Sequence, residues 1–228
     1  MKQHAWNISK DFTGLCYAHR VHCQDIRHAL CCDGDTNACL RTHGHNGVAS
    51  ITIGGNELAR GFVADFKELN FMKVVYDEMF DHRFVLDIND PIASELAHGL
   101  IQAELDGDGE YVLTKDASII VTVPEVGTDD FINYELPIRP FRVKGTDLIP
   151  FWRVDTTELR KKHPERLRCQ IQHLEALSLV DYIPSSENFV KEMFELAQSV
   201  LEPYGIDVVE STWKETDKST ARYFGPVK

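Results

Sequence analysis

Apolar positions along this chain follow two rhythms, one of two residues and one near 3.6, and their order outlines a fold. Residues 5–19 and 45–54 read as a pair of strands. Ile51 and Ile53 alternate with Ser50 and Thr52, and Gly54-Gly55-Asn56 supplies a turn. A short strand is expected at 60–64. Asp65 followed by Glu68 has the form of a capping box, and Leu69, Met72, Val75 and Met79 then fall at helical spacing, predicting a helix to about Phe80. Ser185 or Ser186 can cap another helix, with Phe189, Met193, Leu196 and Val200 on its apolar stripe and Pro203-Tyr204-Gly205 at its end. Residues 206–215 and 219–224 form a second strand pair. The order strand, strand, helix, helix, strand, strand suits an antiparallel sheet with two helices on one face, an α+β arrangement.

Between these halves lies a long stretch from about 88 to 180. Ile92–Leu105 reads as helical, and Tyr111–Val123 as a hairpin whose stronger strand is 118–123. Pro164 opens a further predicted helix with Leu167, Ile171, Leu174 and Leu177 on one face. A structureless loop of that length has no place in a compact domain, so the stretch is read as an inserted α/β subdomain. The expected organisation is therefore 1–87 with 181–228 as one domain and 88–180 as an insertion.

Composition narrows the classes. The chain has 228 residues, 43% hydrophobic and 26% charged, which is ordinary for a soluble globular protein. No apolar run approaches the length of a membrane span and no leader pattern is visible, so a cytoplasmic location is expected. Five of the six cysteines fall between Cys16 and Cys39, and without an export signal they read as free thiols. A second, structural metal site on Cys23, Cys31 and Cys32 is the alternative, although no CxxC pair is present. The net charge of −12 argues against nucleic-acid binding. That charge is uneven: Arg139 to His173 holds nine lysines and arginines against four acids. Its core, Arg160-Lys161-Lys162 with Arg166 and Arg168, reads as the solvated face of an amphipathic helix; holding an anionic substrate group or touching a partner are the alternatives.

Candidate chemistry concentrates at Cys39-Leu40-Arg41-Thr42-His43-Gly44-His45-Asn46. On a strand, His43 and His45 project from one face, because side chains alternate with a period of two. Two imidazoles are two-thirds of a three-ligand zinc site that leaves a position open for water or substrate. Cys39 lies just outside the pair, placed as a base or nucleophile and not as a ligand. A polar loop with two solvated histidines is the plain alternative. His19 closes an aromatic-rich strand and offers a third imidazole. Asp81 and His82 stand together at the end of the first helix, either as a proton relay or as a helix-end residue beside a surface histidine.

Ordered along the chain, Ala18-His19-Arg20-Val21, the Cys39–Asn46 segment, Gly61-Phe62-Val63-Ala64-Asp65-Phe66, Phe80-Asp81-His82-Arg83-Phe84, Pro184-Ser185-Ser186-Glu187-Asn188 and Lys214-Glu215-Thr216-Asp217 resemble the 6-pyruvoyl-tetrahydropterin and 6-carboxytetrahydropterin synthase family. The resemblance covers 5–87 and 181–224. It implies the tunnelling fold, a four-stranded antiparallel sheet with two helices, whose subunits assemble into homo-oligomers with active sites between chains. It further implies Zn2+ held by His19, His43 and His45, and 7,8-dihydroneopterin triphosphate as substrate. In that scheme Cys39 is the base, active as its thiolate, which a neighbouring cation favours. Asp81 and His82 form the proton relay. Glu215 anchors the pterin through two parallel hydrogen bonds, with Glu210 a weaker competitor. Ser185, Ser186 and Glu187 frame the ring.

Spacing chooses the branch. The Cys-x-x-x-His gap from Cys39 to His43 resembles the carboxy branch, a carbon–carbon lyase of queuosine and other 7-deazaguanine biosynthesis; the pyruvoyl branch has a longer gap. The alternatives are triphosphate elimination to the pyruvoyl product, and an idle zinc- or pterin-binding scaffold that uses the insertion for a partner. Three features depart from the family: Gly47 stands where an aromatic residue is usual, 20–38 is rich in Cys and His, and 88–180 is far longer than the usual connection.

Overall fold

A computed structural model describes residues 4–22, 38–125, 127–163 and 165–226. Cys23, Cys31, Cys32 and Pro164 lie outside the described residues. The chain divides into two compact units, Met1–Arg83 with Arg142–Pro150 and Pro184–Lys228, and Phe84–Phe141 with Phe151–Ile183.

The first unit opens with strands β1 (Trp6–His19) and β2 (His43–Gly55), followed by a 3-10 turn at Phe66–Leu69 and helix α1 (Asn70–Phe80). Asp65 caps that turn, accepting from the Lys67 amide at 2.9 Å, and α1 begins only after it. Met72, Val75, Tyr76, Met79 and Phe80 are the buried stripe of α1, at i, i+3, i+4, i+7 and i+8. The expected strand at 60–64 is instead a tight turn. Arg60 and Gly61 take positive φ of 55° and 91°, leaving only a bridge between Ala59 and Phe62.

The second unit starts at strand β3 (Arg83–Asp87) and the short helix α2 (Ala93–Leu96). It continues through β4 (Leu100–Gln102), β5 (Glu104–Leu105), β6 (Tyr111–Val112), β7 (Ser118–Pro124), β8 (Phe131–Pro140) and β9 (Trp152–Val154). Helices α3 (Thr157–Lys162) and α4 (Arg168–Glu175) lead to β10 (Leu177–Val180). Its main sheet runs β3-β10-β9-β8-β7-β4, with β3 and β10 parallel and the other pairs antiparallel. The helix expected over Ile92–Leu105 stops after one turn. His98 turns left-handed at φ 55°, and Gly99 lies so close to β7 that a Cβ there would sit 2.8 Å from Ile119, so the chain pairs with that strand. Nor do Tyr111 and Val123 share a hairpin: β6 pairs with β5, and β7 with β8. Leu177 opens β10 and does not extend the helical stripe. The basic stretch is largely satisfied within this unit. Arg160 reaches both Glu175 carboxylate oxygens, Lys161 meets Glu158 at 3.0 Å, and Arg166 donates to the Pro124 carbonyl.

The chain returns to the first unit with α5 (Ser186–Leu201), β11 (Asp207–Thr216) and β12 (Ser219–Tyr223). Ser185 caps α5, its hydroxyl accepting from the Asn188 amide at 3.3 Å, and Gly205 at φ 72° follows the final turn. The sheet order is β12-β11-β2-β1, antiparallel throughout, so this unit has the four-stranded tunnelling fold. Its core gathers Phe80, Phe189, Trp213 and Tyr76, all essentially inaccessible.

Two β-bulges bring the inner faces into step. Along β2, residues 43, 45, 47, 49, 51 and 53 point inward without interruption. In β1, Phe12 pairs with Ala49 and Leu15 with Gly47, so Thr13 and Gly14 stand opposite Val48 alone, Gly14 at φ 78°. That extra residue turns Leu15, Tyr17 and His19 inward after Phe12. A second shift in β11, between Val208 and Glu210, turns Ser211 and Trp213 inward after Val208, with Glu215 two residues on.

Candidate metal centre and active site

His19 and His43 are cross-strand partners, as are Tyr17 and His45. One ring nitrogen from each of His19, His43 and His45 lies within 4.8 Å of the others. The tautomers follow from the hydrogen bonds. His19 Nδ1 donates to the Pro184 carbonyl at 2.6 Å and His43 Nδ1 donates to the Arg41 carbonyl at 2.7 Å, which leaves each Nε2 as a bare lone pair. Burial pushes the His19 pKa down to about 4, with His43 and His45 adding to the fall and the Pro184 bond opposing it. His45 is lowered too, by burial first, with Glu215 opposing.

The Nε2 atoms of His19 and His45 are buried without a hydrogen-bond partner. Facing them is Glu215 Oε1, 3.5 Å from His19 Nε2 and 3.6 Å from His45 Nε2. The bare lone pair of His19 Nε2 thus meets a carboxylate oxygen with no proton between them, with His45 Nε2 facing the same oxygen, an arrangement that a cation resolves. Three imidazoles fit a transition metal better than a hard cation such as Mg2+, which prefers oxygen.

A cavity of about 320 Å³ opens beside this cluster, lined by His19, His43, Cys39, Ser185, Ser186, Glu187, Glu215 and the start of β12. Cys39 sits in a 3-10 turn (Ala38–Leu40), tied to the segment just after β1 where the Val21 amide donates to its carbonyl at 2.9 Å. The α5 cap places Ser185 at the cavity while the preceding carbonyl orients His19. Eight of the ten residues singled out in the sequence meet here, His45 at the metal cluster and the others also along the cavity.

Asp81 and His82 do not border that cavity. His82 takes φ 55°, its amide donates to the Cys16 carbonyl at 2.6 Å, and its Nδ1 meets Asp81 Oδ1 at 2.8 Å. The ring is 84% exposed and lines a second space of about 460 Å³ with Cys16, Tyr17, His45, Asn46 and Arg83, so that His45 of the metal cluster borders it too. Between the two cavities the lining residues are entirely different.

Tyr17 and Trp213 belong to the centre and were not singled out in the sequence. Trp213 Nε1 donates to the Tyr17 hydroxyl at 3.0 Å, and that hydroxyl donates to Glu215 Oε1 at 3.3 Å. Burial, with the Glu215 charge second, raises the Tyr17 pKa far above its ordinary value, so the phenol keeps its proton. Gly47 now has a reason: a Cβ there would lie 3.2 Å from both the Tyr17 and the Trp213 rings. The available signal was the period of two that puts Tyr17 on the face of His19.

Comparison with known proteins identifies the family and the fold. The family described as 6-pyruvoyl tetrahydropterin synthase matches residues 7–226. A 6-carboxy-5,6,7,8-tetrahydropterin synthase from Aquifex aeolicus is 34% identical over 97 residues, 40% of this chain, and the match spans about three-fifths (59%) of that relative. An uncharacterized protein from Wolinella succinogenes aligns over 97% of this chain and 98% of its own, with 25% identity and a TM-score of 0.66. That likeness therefore extends over the second unit as well. The 6-pyruvoyl tetrahydropterin synthase of Plasmodium vivax aligns over 97% and 99% at 13% identity and a TM-score of 0.45, too loosely to carry an argument.

Proposed function

The chain belongs to the 6-pyruvoyl tetrahydropterin synthase family, and from that premise we propose that it is a zinc-dependent 6-carboxy-5,6,7,8-tetrahydropterin synthase. The reaction takes 7,8-dihydroneopterin triphosphate and water to 6-carboxytetrahydropterin, acetaldehyde and triphosphate, a step of 7-deazaguanine and queuosine biosynthesis. The observation that carries the reading is Cys39 on the same cavity as His19 and His43, four residues before the latter. The name of the Aquifex relative supports the branch. In this reading residues 1–87 and 181–228 are the catalytic domain and 88–180 an insertion.

His19, His43 and His45 hold the zinc, which when bound polarises the substrate's side-chain oxygens as a Lewis acid. Glu215 accepts two hydrogen bonds from the 2-amino-pyrimidinone edge, while Ser185, Ser186 and Glu187 border the ring. Cys39 removes a proton from the substrate side chain. His82, oriented by Asp81 through Nδ1, exchanges protons through Nε2. Because that pair borders a different cavity from Cys39, it serves the site of an adjacent copy, and the active form is a homo-oligomer with sites shared between chains.

Triphosphate elimination to the pyruvoyl product is the second reading, favoured by the description of the matching family. Incubating zinc-loaded protein with 7,8-dihydroneopterin triphosphate separates the two. Acetaldehyde with a 6-carboxy product, lost in Cys39→Ala, is the expected result. A pyruvoyl product without acetaldehyde would move the chain to the second reading.

A further inference from the structure

We propose that Tyr17 is a positioning residue for the pterin-binding carboxylate: its hydroxyl fixes how Glu215 faces the cavity. The inference rests on the reading of Glu215 as the pterin anchor and adds to it the residue that makes a flexible side chain a defined acceptor. A glutamate on a strand has three side-chain torsions, and presenting two parallel acceptors to a planar ligand edge requires all of them to be held.

Tyr17 is suited to hold them because it cannot itself move. Its ring is 4% exposed and packed edge-on to Phe80, Phe189 and Trp213. The bare Cα of Gly47 lets it lie flush on β2. The indole N–H of Trp213 occupies a lone pair of the phenolic oxygen at 3.0 Å, so the single phenolic proton is left for Glu215 Oε1 at 3.3 Å. That same oxygen lies 3.5 Å from His19 Nε2 and 3.6 Å from His45 Nε2. The bond from Tyr17 therefore holds Oε1 against the pull of a cation bound by the histidines. Each carboxylate oxygen has two acceptor sites, so Oε1 can serve Tyr17 and a ligand together.

The test compares Tyr17→Phe and Glu215→Gln, singly and combined, by calorimetric binding of 7,8-dihydroneopterin to the zinc-loaded protein. Tyr17→Phe removes only the hydroxyl, and is expected to weaken binding about tenfold with zinc content and Tm retained. Glu215→Gln is expected to weaken it at least as much, and the double variant no further, since the phenol acts only through the carboxylate. Wild-type affinity in Tyr17→Phe with loss in Glu215→Gln would overturn the role of Tyr17 and leave the anchor standing. Wild-type affinity in Glu215→Gln would overturn the anchor itself. Additive losses, or loss of zinc and Tm in Tyr17→Phe, would show that Tyr17 acts elsewhere or only as packing, and either overturns the proposal.

Discussion

Residue by residue, the centre turns on buried ring nitrogens left unpaired. A buried polar atom left without a partner costs about 1–3 kcal/mol, and His19 and His45 each carry one at Nε2. Metal binding would relieve both, so its removal is expected to destabilise the fold. At a metal concentration a hundredfold above Kd, linkage contributes about 2.7 kcal/mol. For a chain of this size that is a rise of several degrees in Tm. A melt of chelator-treated protein with and without added Zn2+ measures it, and His43→Ala is expected to abolish the shift. Unchanged melting on zinc addition would refute a metal centre on these residues. The sequence disclosed His43 and His45 because their spacing is local, and His19 through the resemblance of its motif. Tyr17 and Trp213 stayed hidden because their role depends on a contact across 196 positions, which no local pattern encodes.

At the level of elements, periodicity served where one face is buried and failed where tertiary contact decides. The strict alternation of β2 and the stripes of α1 and α5 were legible; the 92–105 segment was not, since Gly99 follows its contact with Ile119 and not a helical rhythm. The α5 cap joins fold to site, because the carbonyl before Ser185 orients His19. Replacing Ser185 by Ala is expected to cost about 1 kcal/mol, read as a lowered urea midpoint. In the second unit, hydrogen bonds from the Thr157 side chain and amide, with Arg139 at 4.0 Å, hold the Asp155 carboxyl below its ordinary pKa, against partial burial. A depressed folded-state value gives stability that is full above the ordinary aspartate range and is lost as pH falls through the folded value. Asp155→Asn is therefore expected to flatten the loss of stability below about pH 4, seen in melts across that range. An unchanged acid limb would count against it.

For the whole molecule, the separation of Cys39 from Asp81 and His82 within one chain makes a mixing experiment informative. Cys39→Ala and His82→Ala proteins, each inactive alone, are expected to recover part of the wild-type turnover when unfolded and refolded together. No recovery, with mixed oligomers present by native mass spectrometry, would confine each site to a single chain. No helix among the described residues is long and apolar enough to cross a membrane. The bulge at Thr13-Gly14 has a consequence of its own. It works as a frameshift in an inward–outward code: upstream of it β1 is read in one parity, downstream in the other. Deleting Thr13 would remove the bulge, leave Gly14 alone opposite Val48 and keep Leu15, Tyr17 and His19 inward, whereas deleting Cys16 would carry Ala18 inward and turn Tyr17 and His19 away. The metal centre thus depends on whether the count of residues from Leu15 to His19 is odd or even, and β1 can lose a residue at the bulge but not at Cys16, whose side chain faces away from the cluster.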